Sequence, residues 1–126
     1  MTESPTPDAL PATIFHNPSC SKSRGALAIL EERSIDHGVV NYLNTPPSRD
    51  ELESIVAVLI DPVSDLVRRT DKAFTDLGLD ASGYNQAEEV IDLLLAHPEL
   101  MQRPIVVSGG KAVIARPSER VDLVLP

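Results

Sequence analysis

Cysteine occurs once in the 126 residues, at Cys20. A lone cysteine closes no internal disulfide and leaves nothing for a cysteine-based zinc cage, so any disulfide Cys20 forms joins it to another molecule. Tryptophan is missing and aromatics are only 3% of the chain. The core must therefore rest on Leu, Ile, Val and Ala, and stacking of bases on aromatic rings has few candidates. Positive charge is scarce: 11 Lys and Arg stand against 19 Asp and Glu, a formal net charge of −8. Such a surface repels a phosphate backbone and argues against general nucleic-acid binding. It also repels small anions unless the few arginines converge. No uninterrupted apolar run reaches the roughly 18 residues of a membrane span. Residues 1–11 are acidic and Pro-rich. They lack the basic start and apolar stretch of a signal peptide, which predicts a flexible tail and a cytoplasmic location. No glycine-rich phosphate loop of the Walker or dinucleotide type is present.

What remains is an ordinary globular mixture, 42% apolar and 24% charged, and the length predicts a single domain over 12–126. Ala12 to His16 is a short, partly β-branched apolar run that reads as a buried strand. Asn17-Pro18-Ser19 breaks it, and a helix pattern starts at Cys20 or Ser21 with Ala26, Leu27 and Leu30 on one face. Gly38 is expected to end that unit, and Val39 to Leu43 is a second strand candidate. Ser48 opens a helix with Glu51 three residues on, a capping box. A further short helix is expected around Leu66 to Arg69, another over 72–79 closed by Gly78, and a third over Asn85 to Ala96 with Asn85 as its cap. Residues 104–107 and 111–115 read as strands joined by a Gly109-Gly110 hairpin. Residues 116–124 read as the start of a last helix. The order β-α-β, helical block, β-β-α predicts an α/β fold: a four-stranded mixed sheet in the thioredoxin-like arrangement, with residues about 48–100 as a helical insertion.

Cys20 falls just after a strand and at the opening of a helix. Free backbone N–H groups at that point favour a thiolate and an anion beside it. His16, Lys22 and Arg24 are candidates to add positive charge. The bland alternative is a small buried thiol, the common condition of a lone cysteine. Arg68, Arg103 and Arg116 carry planar forks suited to oxyanions, and a thioredoxin-like sheet brings the loop holding Arg103 beside the Cys20 turn. The Arg103-Pro104 bond is a candidate cis peptide. His37 and His97 read as residues at helix C-termini. Neither shares ligand spacing with another His or Cys, and Glu31-Glu32 and Glu88-Glu89 read as solvated helix faces, so no metal site is expected.

The stretch His16-Asn17-Pro18-Ser19-Cys20-Ser21-Lys22-Ser23-Arg24 resembles the H-x3-C-x3-R signature of the glutaredoxin-coupled arsenate reductase family. Tyr42-Leu43, Pro46 to Leu52, Leu77-Gly78-Leu79, His97-Pro98, Arg103 to Val107 and Arg116 to Glu119 resemble the same family, in order, over about residues 12–125. The resemblance implies the thioredoxin-like fold with a helical insert. It implies Cys20 as the nucleophile that attacks arsenate, with Arg68, Arg103 and Arg116 binding and stabilising the oxyanion. His16, Ser23 and Arg24 fall on the signature positions around the thiol. No bound cofactor is implied. Glutathione or another low-molecular-weight thiol is expected as the co-substrate and a glutaredoxin-like protein as the reductant, and a monomer without a nucleic-acid or membrane partner is expected. Spx-type regulators share the fold but usually carry a C-x-x-C pair, and Ser23 stands where the second cysteine would be. Two other readings share the residues: a partner-docking protein that uses the acidic helical block, and a general thiol-transfer or redox-sensing protein.

Overall fold

Strand β1 (Ala12–His16) is buried at all five residues, as expected of a central strand covered on both faces. In the computed structural model, which describes residues 12–125, β1 pairs in parallel with β2 (His37–Asn41) and antiparallel with β3 (Ile105–Ser108). Strand β4 (Lys111–Ile114) continues the sheet antiparallel to β3, giving the order β2-β1-β3-β4. Helix α1 (Ser21–Glu32) makes the crossover between the parallel pair, as a parallel connection requires. Gly109 and Gly110 turn the β3–β4 hairpin with φ of +59° and +77°, values that glycine adopts without steric cost. The expected tail, residues 1–11, lies outside the described residues.

Alternate residues of the sheet feed two cores. Ile14, Val106 and Val113 pack on one face with Ala26 and Leu30 of α1 and with Val121. Phe15, Ile105 and Ile114 face the other side, where α2 (Arg49–Val58) and α4 (Ala87–Ala96) supply Leu52, Ile55, Val90 and Leu94. α2 is capped as its sequence predicts: the Glu51 N–H donates to Ser48 Oγ at 3.2 Å, and the Ser48 N–H donates to Glu51 Oε1 at 3.1 Å. Gly25 lets α1 approach the C-terminal segment, since a Cβ there would stand 2.5 Å from Ser118 Oγ. That hydroxyl donates to the Lys22 carbonyl at 3.0 Å.

Several boundaries differ from the sequence reading. β2 begins at His37, so Gly38 lies inside the strand and His37 is a strand residue, its Nδ1 2.7 Å from the Ile35 carbonyl. The helix expected from Asn85 begins at Ala87 with Gln86 as cap, because the Asn85 amide donates to the Ser82 carbonyl at 2.8 Å instead. α3 spans only Lys72–Asp76. The segment around Leu66 is a 3-10 helix over Val63–Leu66, and Val67 then turns extended to bridge Met101. The last element is a 3-10 helix, Ser118–Leu123. Short turns of this kind share their apolar spacing with α-helix, and period alone does not separate them.

Arg69 holds the helical block together. Its guanidinium donates to four carbonyls: Ser64 at 3.2 Å, Ala81 at 3.0 Å, Gly83 at 2.5 Å and Tyr84 at 2.7 Å. Hydrogen bonds from a charged donor contribute about 1.5–3 kcal/mol each, and they do not add when they share one side chain. Arg69→Ala is therefore expected to destabilise the protein by about 2–3 kcal/mol in urea unfolding. A change below about 0.5 kcal/mol, the level of an unremarkable surface substitution, would contradict this role.

Candidate active site

The site is built where β1 ends. The loop after His16 is pinned from within: the Ser19 N–H donates to Asn17 Oδ1 at 2.9 Å, and the Cys20 N–H to the Asn17 carbonyl at 3.0 Å. Ser23, fully buried, accepts from the Asn17 N–H at 3.3 Å. Arg24 donates to the Pro18 carbonyl at 2.8 Å. Ser23 and Arg24 thus shape the loop around the thiol rather than project into the space beside it.

Cys20 is the N-cap of α1, with extended backbone (φ −100°, ψ 124°) and no side-chain cap. Its sulfur occupies the position where a capping oxygen would stand, facing the first free N–H groups of the helix. Burial pushes the thiol pKa up. The Ser23 and Lys22 N–H groups and the Arg103 guanidinium outweigh it, and the pKa falls from 9.0 to about 6. At pH 7 about nine thiols in ten are then ionised. Because the thiolate is the reactive form, the rate of Cys20 alkylation by iodoacetamide is expected to rise through a midpoint near pH 6 and level off above it. A midpoint near 9 would return Cys20 to the inert-thiol reading.

Arg103 and Arg116 reach Cys20, and Arg68 stands near those two arginines. Arg116 Nη1 lies 3.7 Å from Cys20 Sγ and donates to the Arg103 carbonyl at 3.0 Å. Arg103 reaches Cys20 directly and also lies against Tyr42. Arg68 ion-pairs with Asp71 at 2.6 Å and is placed by the Val67–Met101 bridge. Burial lowers its pKa, and the like charges of Arg103 and Arg116 lower it further. Asp71 offsets one charge of this group, so a dianion seated here would relieve the remaining repulsion. Both Arg103-Pro104 and Arg116-Pro117 are cis. Beside Arg116 opens a cavity of about 440 Å³ whose walls include Val67, Gln102, Ser64, Asp65 and Thr70.

His16 does not supply the positive charge expected of it. It is buried, and burial together with Arg24 lowers its pKa from 6.5, so the ring is neutral at pH 7. Lys22 is exposed and acts on the sulfur through its backbone N–H, not its ammonium. Tyr42 and Asn17 line the same end of the sheet, and composition offered no signal for either. His97 caps α4, as read. Among the described residues, no group of three or more His, Cys, Asp or Glu is placed to hold a metal ion, and no helix is long and apolar enough to cross a membrane.

These features define a class: a thioredoxin-like α/β protein with one ionised cysteine at a helix start, faced by arginines from the segments before β3 and after β4. Within that class, a family model described as "ArsC family" matches residues 15–124, and the chain belongs to the ArsC family. An arsenate reductase of Neisseria meningitidis is 43% identical over 113 residues, which span 89% of this chain and 96% of the relative. An arsenate reductase of Escherichia coli is 40% identical over 114 residues, 90% of this chain and 80% of the relative. The solved structure of an arsenate reductase from Vibrio cholerae superposes with a TM-score of 0.81 at 36% identity, covering 92% of this chain and 98% of that one.

Proposed function

We propose that the protein is an arsenate reductase that works through Cys20 and an external thiol. The observation that carries this reading is the ionised sulfur of Cys20 within reach of Arg103 and Arg116 on a chain of net charge −8. Arsenate carries about two negative charges near neutral pH, like a phosphate group. Arg68, Arg103, Arg116 and the helix-start N–H groups offset that charge and hold the oxygen that departs. The Cys20 thiolate attacks arsenic, forming an S–As bond as the bond to an arsenate hydroxyl breaks, and that hydroxyl takes one proton from solvent and leaves as water. Glutathione or a comparable small thiol then attacks the Cys20 sulfur as its thiolate. The electron pair of the S–As bond stays on arsenic, which leaves as arsenite, and Cys20 remains as a mixed disulfide. Arsenic gains two electrons and the two thiols lose them. The chain has no second cysteine, so a glutaredoxin-like protein frees Cys20 by thiol–disulfide exchange. A reducing, thiol-rich compartment such as the cytoplasm suits this chemistry, and one copy of the chain carries every group the scheme uses. Phosphate binds and is not reduced, because phosphorus does not take electrons from thiols in this way.

The test is consumption of reductant in the presence of glutathione and a glutaredoxin. Oxidation that requires arsenate, with arsenite as product and no response to phosphate, is expected. Thiol oxidation that proceeds equally without arsenate would favour a general thiol-transfer protein instead.

A further inference from the structure

Among the described residues, the buried side-chain atoms without a hydrogen-bond partner are His16 Nδ1, Asn41 Oδ1, Tyr42 Oη and Arg103 Nε. All of them belong to the end of the sheet that carries Cys20. His16 and Asn41 are paired across β1 and β2, Tyr42 follows directly, and Arg103 precedes β3. An orphaned buried donor or acceptor costs about 1–3 kcal/mol, and folded proteins keep few of them without a reason.

Two of the four are complementary neighbours. Arg103 Nε–H is a donor with no acceptor. The Tyr42 hydroxyl is fully buried and lies against the Arg103 guanidinium on one side and the Asn17 side chain on the other. Burial pushes Tyr42 above its ordinary 10.0. It is therefore a neutral phenol at pH 7, its oxygen able to accept from Arg103 and from the side-chain amide N–H of Asn17. Asn17 in turn fixes the loop that presents Cys20, through the Ser19 and Cys20 N–H groups. Tyr42 is fully buried and lies against Arg103, so it acts through the guanidinium and not on a bound anion.

We propose that Tyr42 is a positioning residue that couples Arg103 to the cysteine loop, its hydroxyl oxygen taking the Arg103 Nε–H bond as the guanidinium turns to an oxyanion while it holds the side-chain amide of Asn17. This rests on the reading of Arg103 as an oxyanion-binding group. In that arrangement the two orphans satisfy each other when the site is occupied, and the fork of Arg103 is held at the height of the sulfur. Tyr42→Phe keeps the ring and the packing and removes only the link.

The experiment follows Cys20 alkylation, which reads the site without turnover. In the wild type, arsenate or phosphate protects Cys20 with a measurable midpoint. In Tyr42→Phe that midpoint is expected to rise about five- to tenfold, and the pH midpoint of alkylation to move upward from about 6. Thermal stability without anion should hold or rise, since a buried orphan has been removed. Adding Tyr42→Phe to Arg103→Ala should change the protection midpoint by less than twofold, because the link has already lost one end. Unchanged midpoints in the single variant overturn the proposal. So does a full additional loss in the double variant, or a fall in ligand-free stability large enough to explain the effect. Wild-type protein that no tetrahedral oxyanion protects overturns the oxyanion site and Tyr42 with it. Protein that is protected yet does not reduce arsenate overturns the reductase reading and leaves the role of Tyr42 standing.

Discussion

Cys20→Ser is expected to lower arsenate-dependent thiol oxidation by at least about a thousandfold, the scale on which loss of a covalent nucleophile acts. Two separate reasons lead to this result. The Ser23 and Lys22 N–H groups and Arg103 bring a thiol to about 6, but an alcohol starts far higher and stays protonated in the same surroundings. Even if serine bonded to arsenic, oxygen could not become half of a disulfide, so the electrons for arsenite would have no source on the protein. The fold should survive, since serine is a favoured N-cap and α1 has no side-chain cap at present. A variant that keeps its thermal transition and loses turnover meets the expectation. Retained turnover would sink the mechanism.

Arg103→Ala is the second large effect. It removes the guanidinium that contacts both Cys20 and Tyr42, and two consequences follow. The thiolate loses a stabilising charge, so the alkylation midpoint moves up from about 6 towards the free value, and less of the enzyme is reactive at pH 7. A bound oxyanion loses a charge-assisted contact of about 1.5–3 kcal/mol, roughly 10- to 150-fold in affinity. Together they are expected to reduce kcat/KM for arsenate by about a hundredfold or more. Arg103→Lys should recover part of the thiolate shift, because a charge returns, and little of the anion affinity, because the planar fork does not. Alanine with an unaltered pH profile and unaltered anion affinity would remove Arg103 from the site. The contrast with Arg69→Ala is informative. That change should lower stability and spare the sulfur, since the Arg69 guanidinium is taken up by four backbone carbonyls.

How much of this could be read in advance depended on the range of each signal. β1, the opening of α1, the Ser48–Glu51 capping box and the Gly109-Gly110 hairpin are local patterns, and they appear where the residues indicate. The family motifs marked Arg68, Arg103 and Arg116. The meeting of Arg103 and Arg116 with Cys20 is a property of the topology: Arg116 is 96 positions from the sulfur it approaches, and the β2-β1-β3-β4 order brings the start of β3 and the end of β4 beside the end of β1. His16 misled, because its type suggested charge while its burial enforces neutrality. Arg69 stood next to Arg68 with nothing in the sequence to separate a clamp on carbonyls from an anion ligand. Asn85 looked like a cap until its amide was needed at Ser82. Tyr42 was legible as a strand residue and as part of a family motif, but its hydroxyl gains meaning only from the orphaned Arg103 Nε beside it.

The most direct measurement is the intact mass of the protein after a single turnover. Reduced protein would be mixed with arsenate and glutathione, without a glutaredoxin, and quenched in acid. One glutathione added at Cys20, with one arsenite released per adduct and neither seen when arsenate is replaced by phosphate, is the predicted result. Arsenite formed while Cys20 remains unmodified, or the same adduct formed at the same rate with no arsenate present, would contradict an S–As bond at Cys20 as the step that reduces arsenic.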